Sequence, residues 1–202
     1  MSLPPEQQPL PATPEVRIRE VRLLSDDHYI LRRTVLDYRR RDGSWQTLVR
    51  ETYDRGNGAA ILPYDPERRV VLLVRQFRFP AWASGHAAPL IEAVGGVIEA
   101  GDAQQTAVRE VEEEAGLRVR APRQVMNPFM SPGSVTERVA LYVAEYNAAD
   151  RRSAGGGLQG EGEDIEVLEL PFDEALAMVA AGDIIDAKTI LLLQHLRLAG
   201  VL

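Results

Sequence analysis

Residues 95–117 read Gly95-Gly96-Val97-Ile98-Glu99-Ala100-Gly101-Asp102-Ala103-Gln104-Gln105-Thr106-Ala107-Val108-Arg109-Glu110-Val111-Glu112-Glu113-Glu114-Ala115-Gly116-Leu117. The stretch opens on two glycines at the end of an apolar run. From Ala103 the apolar positions take helical spacing, with Ala103, Ala107, Val108, Val111 and Ala115 on one stripe. Gly116 is a natural stop, so the spacing predicts a helix over 103–115. On that helix Glu110, Glu113 and Glu114 stand at i, i+3 and i+4, which converges their carboxylates on one face. Like charges at that spacing cost an isolated helix roughly a few tenths of a kcal/mol per pair. Arg109 is the only basic residue between Asp102 and Arg118, so further positive charge is expected beside the cluster. Clustered carboxylate oxygens suit a hard divalent cation, Mg²⁺ or Mn²⁺, of the kind that bridges carboxylates to phosphates. The glycines let backbone groups approach such a site closely. A solvated acidic face is the plainer reading of a Glu-rich helix, but it explains the double glycine, the Arg and the closing Gly-Leu poorly.

Working outward, Val16–Leu24, Tyr29–Tyr38 and Trp45–Asp54 read as strands, the last two joined at Asp42-Gly43, a hairpin signal. After a turn at Arg55–Gly58 come strands Ala59–Tyr64 and Val70–Phe77, connected by the hairpin Tyr64–Arg68. A loop with Pro80, Gly85 and Pro89 leads into a single strand, Leu90–Val94. Beyond the central helix, Arg138–Tyr146 and Glu166–Leu170 read as strands. Helices follow from Pro171 to Ala181 and over Lys188–Leu198, the latter turning Leu192, Leu193 and Leu196 inward. The segment Arg151–Gly162 holds Gly155, Gly156, Gly157, Gly160 and Gly162 and reads as a flexible loop. Residues 1–15, with Pro4, Pro5, Pro9, Pro11 and Pro14, read as a disordered tail. No internal repeat is found, and the element pattern is that of an α+β chain.

The central stretch resembles the Nudix box, Gly-x5-Glu-x7-Arg-Glu-U-x-Glu-Glu-x-Gly-U, where U is a bulky aliphatic residue. It departs twice: Asp102 stands where the box has Glu, and six residues separate it from Arg109. Asp102 is therefore left out of the site. Four further segments extend the resemblance: Tyr53–Gly58, Val74–Arg78, Met130–Glu137 and Glu163–Phe172. They are similar to the nucleoside-diphosphate-sugar branch, and more narrowly to GDP-mannose pyrophosphatases, which share the shortened spacer. The similarity runs from about Ser25 to Leu193. It implies an α+β fold, an α/β/α sandwich with a mixed sheet preceded by an N-terminal antiparallel sheet. The implied division is a tail over 1–15, a dimer-forming β-strand region over 16–58 and a catalytic domain over 59–202.

By this resemblance Glu110 and Glu114 are metal ligands and catalytic, with Glu113 and the Gly95 carbonyl beside them. For Glu113, simple pairing with Arg109 is the alternative, and Arg109 is expected to orient the carboxylates. Glu163, on the glycine-rich loop, is expected as a further ligand or as the base that prepares the attacking water. Loop flexibility would let it close over substrate. Arg78 suits a diphosphate, or else a surface ion pair. Gly96, Val97 and Glu137 resemble substrate contacts of the family. Arg50 and Glu51 would serve the partner's site in a homodimer, unless they are an exposed strand face. Lys188 is the only lysine beside 22 arginines and matches a substrate-contacting Lys of similar enzymes. His28, His86 and His195 are read as structural, and Trp45 and Trp82 as sheet or loop core. The implied activity is Mg²⁺- or Mn²⁺-dependent hydrolysis of a nucleotide sugar, GDP-mannose first. ADP-ribose, or binding of a nucleotide sugar without turnover, is the alternative.

Composition bounds these readings. Zero Cys excludes a disulfide scaffold and a thiol nucleophile and fits a cytoplasmic setting. The sequence contains no uncharged apolar run of membrane length and no basic, apolar leader at its start. Over the 202 residues the net charge is −7, which argues against a nucleic-acid coat. That charge is uneven: residues 92–114 and 161–175 together carry 14 acids and one base, leaving the remainder at +6.

Overall fold

The computed structural model describes residues 11, 13–98, 102–158, 160 and 162–202. Most of the expected Pro-rich tail, and Glu99–Gly101 of the central stretch, lie outside them. The chain forms two compact units: residues up to Arg55 with Gly133–Thr136, and Gly56–Pro132 with Glu137–Leu202.

The first unit is an antiparallel sheet of β1 (Val16–Asp26), β2 (Ile30–Arg39) and β3 (Trp45–Asp54), in that order. The β2–β3 turn forms where Asp42-Gly43 marks it: Ser44 donates its backbone N–H to Asp42 Oδ1 at 2.9 Å, and Gly43 sits at φ 84°. Trp45 is not core. It is 39% exposed, with the Arg17 guanidinium 4.0 Å above its ring. The Gly133–Thr136 segment joins this unit by bonds to Tyr53, whose N–H donates to Ser134 O (2.8 Å) and whose carbonyl accepts from Thr136 N–H (3.1 Å).

The second unit is a mixed sheet between two helical layers. Its path is β10 (Glu166–Pro171), β5 (Val70–Gln76), β4 (Gly58–Asp65), β9 (Val139–Glu145) and β8 (Arg120–Met126). Two short strands lie off that path: β6 (Leu90–Glu92) on β5 and β7 (Val94–Val97) on β4. The β4–β9 pair is parallel and the others are antiparallel. Period-two alternation sorts the side chains to two faces. Ala59, Ile61, Leu72 and Val74 pack under α2 (Ala103–Ala115) through Ala107, Val111 and Ala115. Ala60, Leu62, Val71 and Leu73 face α3 (Phe172–Ala181) and α4 (Ala187–Leu198) through Phe172, Leu192, Leu193 and Leu196.

Three features differ from the sequence reading. Leu90–Val94 is not one strand. β4 and β5 pair directly only at Tyr64–Val71 and Asp65–Val70, and β6 and β7 pair with them beyond that point. At the break the Ala93 N–H leaves the ladder and donates to Thr189 Oγ1 on α4, at 2.6 Å. The loop before β6 contains α1 (Phe79–Ala83), with Pro80 in its first turn, where a missing N–H costs nothing. Its Trp82 is 54% exposed, so it is not core. β8 gave no clean signal because Pro122 and charged residues interrupt it and its pairing with β9 carries two register shifts.

Candidate active site

Helix α2 is set by its ends. Asp102 is its N-cap and accepts from Gln105 N–H at 2.8 Å, so this residue has a local structural task. Gly116 closes the helix in the left-handed conformation, φ 61°. The row Ala107–Val111–Ala115 is fully buried, and the neighbouring row, Thr106–Glu110–Glu114, is buried with it. Two carboxylates of the predicted cluster are thus carried under the protein surface, Glu110 at 8% and Glu114 at 2% exposure.

Strand β7 supplies the opposite wall. Gly96 lies so close to the Glu110 carboxylate that an added Cβ would overlap its Oε1, which explains why this wall has no side chain. The Gly95 backbone N–H faces the Glu114 carboxylate and favours its charged form. Arg109 bridges the outer part of the cluster, donating to Glu110 Oε1 at 2.6 Å and to Glu113 Oε2 at 2.7 Å. Glu113 therefore pairs with Arg109 here. Among the described residues no three carboxylates already converge at ion-ligating distance.

Glu114 is different. Its Oε2 is buried without a hydrogen-bond partner among the described residues. Burial, then the Glu110 and Glu163 carboxylates, push its pKa up to about 8, against the pull of Arg78 and the Gly95 N–H. A carboxylate oxygen buried among like charges is a poor resting arrangement for a neutral-pH protein unless a cation completes it. The donor set is all oxygen, which suits a hard divalent ion.

Beside this acidic group lies a compact ionic one. Glu92, at the end of β6, is 2% exposed and accepts from Arg78 Nε at 2.8 Å and Nη2 at 3.3 Å, and from Lys188 Nζ. Lys188 also donates to Asp186 Oδ1 at 2.8 Å. Asp186 caps α4 through Thr189 N–H at 3.0 Å and accepts the Thr189 hydroxyl at 2.6 Å. Burial opposes ionising Glu92, but Lys188 and Arg78 outweigh it and hold its carboxyl below the usual range. Burial likewise opposes the charge on Lys188, and Glu92 and Asp186 raise its pKa above the ordinary value. Arg78 and Glu163 both line a cleft of about 510 Å³ with Phe77 and Asp164.

Of the predicted site residues, Gly95, Gly96, Glu110, Glu114, Glu163 and Arg78 contact or electrostatically couple to one another in the second unit, and Lys188 is linked to Arg78 through Glu92, which both cations bind. Val97 follows Gly96 on β7 and pairs with Gly58, beside which Glu137 stands. Arg50 and Glu51 are exposed on β3 of the first unit, paired across to Thr34 and Arg33. Glu92 and Asp186 were missed as the anions behind Arg78 and Lys188. An acid inside the run Leu90-Ile91-Glu92-Ala93-Val94 was the available signal for the first.

Comparison with known proteins bears on this geometry. The NUDIX domain matches residues 54–193, and the GDP-mannose pyrophosphatase NudK N-terminal domain matches residues 15–53. The chain belongs to the Nudix family. It is 45% identical to a GDP-mannose pyrophosphatase of Cronobacter sakazakii over 188 residues, covering 93% of this chain and 97% of that one. A GDP-mannose pyrophosphatase of an Enterobacter species is 42% identical over 190 residues, 93% of this chain and 98% of the relative. One from Escherichia coli is 40% identical over 191 residues, 94% and 99%. The crystal structure of an ADP compounds hydrolase shares the fold, with a TM-score of 0.71 at 17% identity, covering 95% of this chain and all of that one. As a Nudix protein this one has the α+β architecture expected of it, and Nudix hydrolases generally use divalent metals. Among its described residues no helix is long and apolar enough to cross a membrane.

Proposed function

We propose that the protein hydrolyses the diphosphate of a nucleoside-diphosphate sugar, with GDP-mannose as substrate and GMP and mannose 1-phosphate as products. The observation that carries this reading is the buried Glu114 carboxylate, pressed by Glu110 and Glu163 and lying near the Arg78 cation. The names of relatives that align with more than nine-tenths of the chain support the choice of substrate.

Glu110, Glu113, Glu114, Glu163 and the Gly95 carbonyl would hold the divalent ion, Mg²⁺ or Mn²⁺. When bound, such an ion polarises phosphoryl oxygens and lowers the pKa of water. Glu163 takes the proton of the attacking water. The water oxygen bonds to one phosphorus while the bond from that phosphorus to the bridging oxygen breaks, and the bridging oxygen leaves on the other phosphate. Arg78 and Lys188 receive the diphosphate charge, and Glu92 and Asp186 hold them in place until it arrives. Gly96 and Val97 offer backbone to the substrate, and Glu137 accepts from sugar hydroxyls. In this reading residues 16–58 form a homodimer in which Arg50 and Glu51 serve the partner's site, and residues 59–202 are the catalytic domain. Absence of Cys fits a cytoplasmic setting.

The test compares monophosphate release from GDP-mannose, ADP-ribose and UDP-glucose with Mg²⁺ or Mn²⁺ present. The highest kcat/KM is expected on GDP-mannose. A preference for ADP-ribose would move the substrate, and no release from any of the three would overturn the reading.

A further inference from the structure

The glycine-rich segment was expected to be flexible, yet its first half is hydrogen-bonded to helix α2. The last turn of a helix leaves carbonyls without intrahelical donors. Here the loop supplies them. Gly157 N–H reaches Glu113 O at 3.3 Å and Gly156 N–H reaches Glu114 O at 2.8 Å, while Arg152 and Ser153 N–H reach Gly116 O at 2.7 and 3.2 Å. On its other side Gly156 accepts from the N–H of buried Ile165 at 3.3 Å.

Only glycine fits this path. Gly155, Gly156 and Gly157 have φ of 73°, 121° and 77°, where an L side chain is strained. A Cβ at Gly155 would overlap the Glu114 carbonyl oxygen and stand 2.9 Å from Ala115 Cα. A Cβ at Gly157 would lie 2.5 Å from Glu163 Oε2 and 2.8 Å from Glu163 Cβ. The next amide, Leu158 N–H, donates to Glu163 Oε2 at 2.9 Å. One three-residue run therefore touches the backbone of Glu113 and Glu114 on one side and the side chain of Glu163 on the other.

We propose that Gly155-Gly156-Gly157 is a clasp that fixes Glu163 relative to the carboxylate helix, which makes Gly155 and Gly157 positioning residues. The consequence for turnover rests on the role given to Glu163 above, whereas the clasp itself does not. Amide hydrogen exchange on the metal-free protein tests the clasp alone. Gly156, Gly157 and Leu158 are expected to exchange at least about tenfold more slowly than free peptide. Exchange at the free-peptide rate overturns the clasp. In turnover, Gly157→Ala is expected to lower kcat by about tenfold or more while moving KM by less than about threefold, and to add nothing in a Glu163→Gln background. Gly160→Ala, whose Cβ meets nothing within 4 Å, is expected to leave kcat unchanged. A Gly157→Ala effect that adds fully to Glu163→Gln, or wild-type kcat in Gly157→Ala, overturns the positioning role. Slow exchange without hydrolysis of any nucleotide sugar upholds the clasp and overturns only the substrate reading.

Discussion

Glu92 shows what a single residue does in this site. It is 2% exposed and still ionised, because Arg78 and Lys188 close on it from two sides. Its pKa is held below the ordinary value of 4.5, so its ion pairs contribute stability above that pH and lose it as the pH falls through the lowered value. Glu92→Gln leaves two cations facing a neutral amide. It is expected to lower stability at pH 7 by about 3 kcal/mol, read from chemical denaturation, and to flatten the loss of stability in acid. Equal stability of the two proteins at pH 7 would show that the cations do not depend on Glu92. The sequence made Arg78 and Lys188 visible as separate cations, one as a fork in a strand-end motif and one as a lone lysine. It did not show that a common anion ties them together, because residues 78, 92 and 188 meet only after β6 and α4 are in place.

At the scale of elements, α2 is the part that was most legible. Its apolar spacing and its Gly stop took the expected form, since helix ends and stripes are fixed by near neighbours, whereas of its three clustered acids Glu110 and Glu114 are buried and Glu113 pairs with Arg109. Asp102 was read only as a departure from the box, and its cap bond gives it a reason of its own. Asp102→Ala is expected to cost about 1 kcal/mol, lowering Tm by about 2–4 °C, with Asp102→Asn near wild type. An unchanged Tm in Asp102→Ala would show that the cap does not matter. The break at Ala93 was not legible, because the partner of its N–H is a threonine 96 residues further on. β8 was hidden for a related reason: an edge strand half-exposed beside one neighbour carries little apolar alternation. The bonds of the triple glycine were not legible, because composition reports conformational freedom in the unfolded chain, whereas the carbonyls at the end of α2 give those amides partners.

For the whole molecule, the net charge of −7 conceals two acidic segments in a basic remainder. Folding couples their carboxylates, since Glu110 and Glu114 come from one segment and Glu163 from the other. Arg78 and Lys188 lie outside both segments and meet the first at Glu92. Such an arrangement suits an anionic small molecule held over a cation, which overall charge alone would not have suggested. In the proposed reading Glu114 carries the central role, and the decisive measurement is kcat for GDP-mannose hydrolysis by Glu114→Gln, with Mg²⁺ present and folding checked by Tm. A fall on the order of a thousandfold in a folded protein is predicted. Turnover within about tenfold of wild type would contradict the central role of the buried carboxylate.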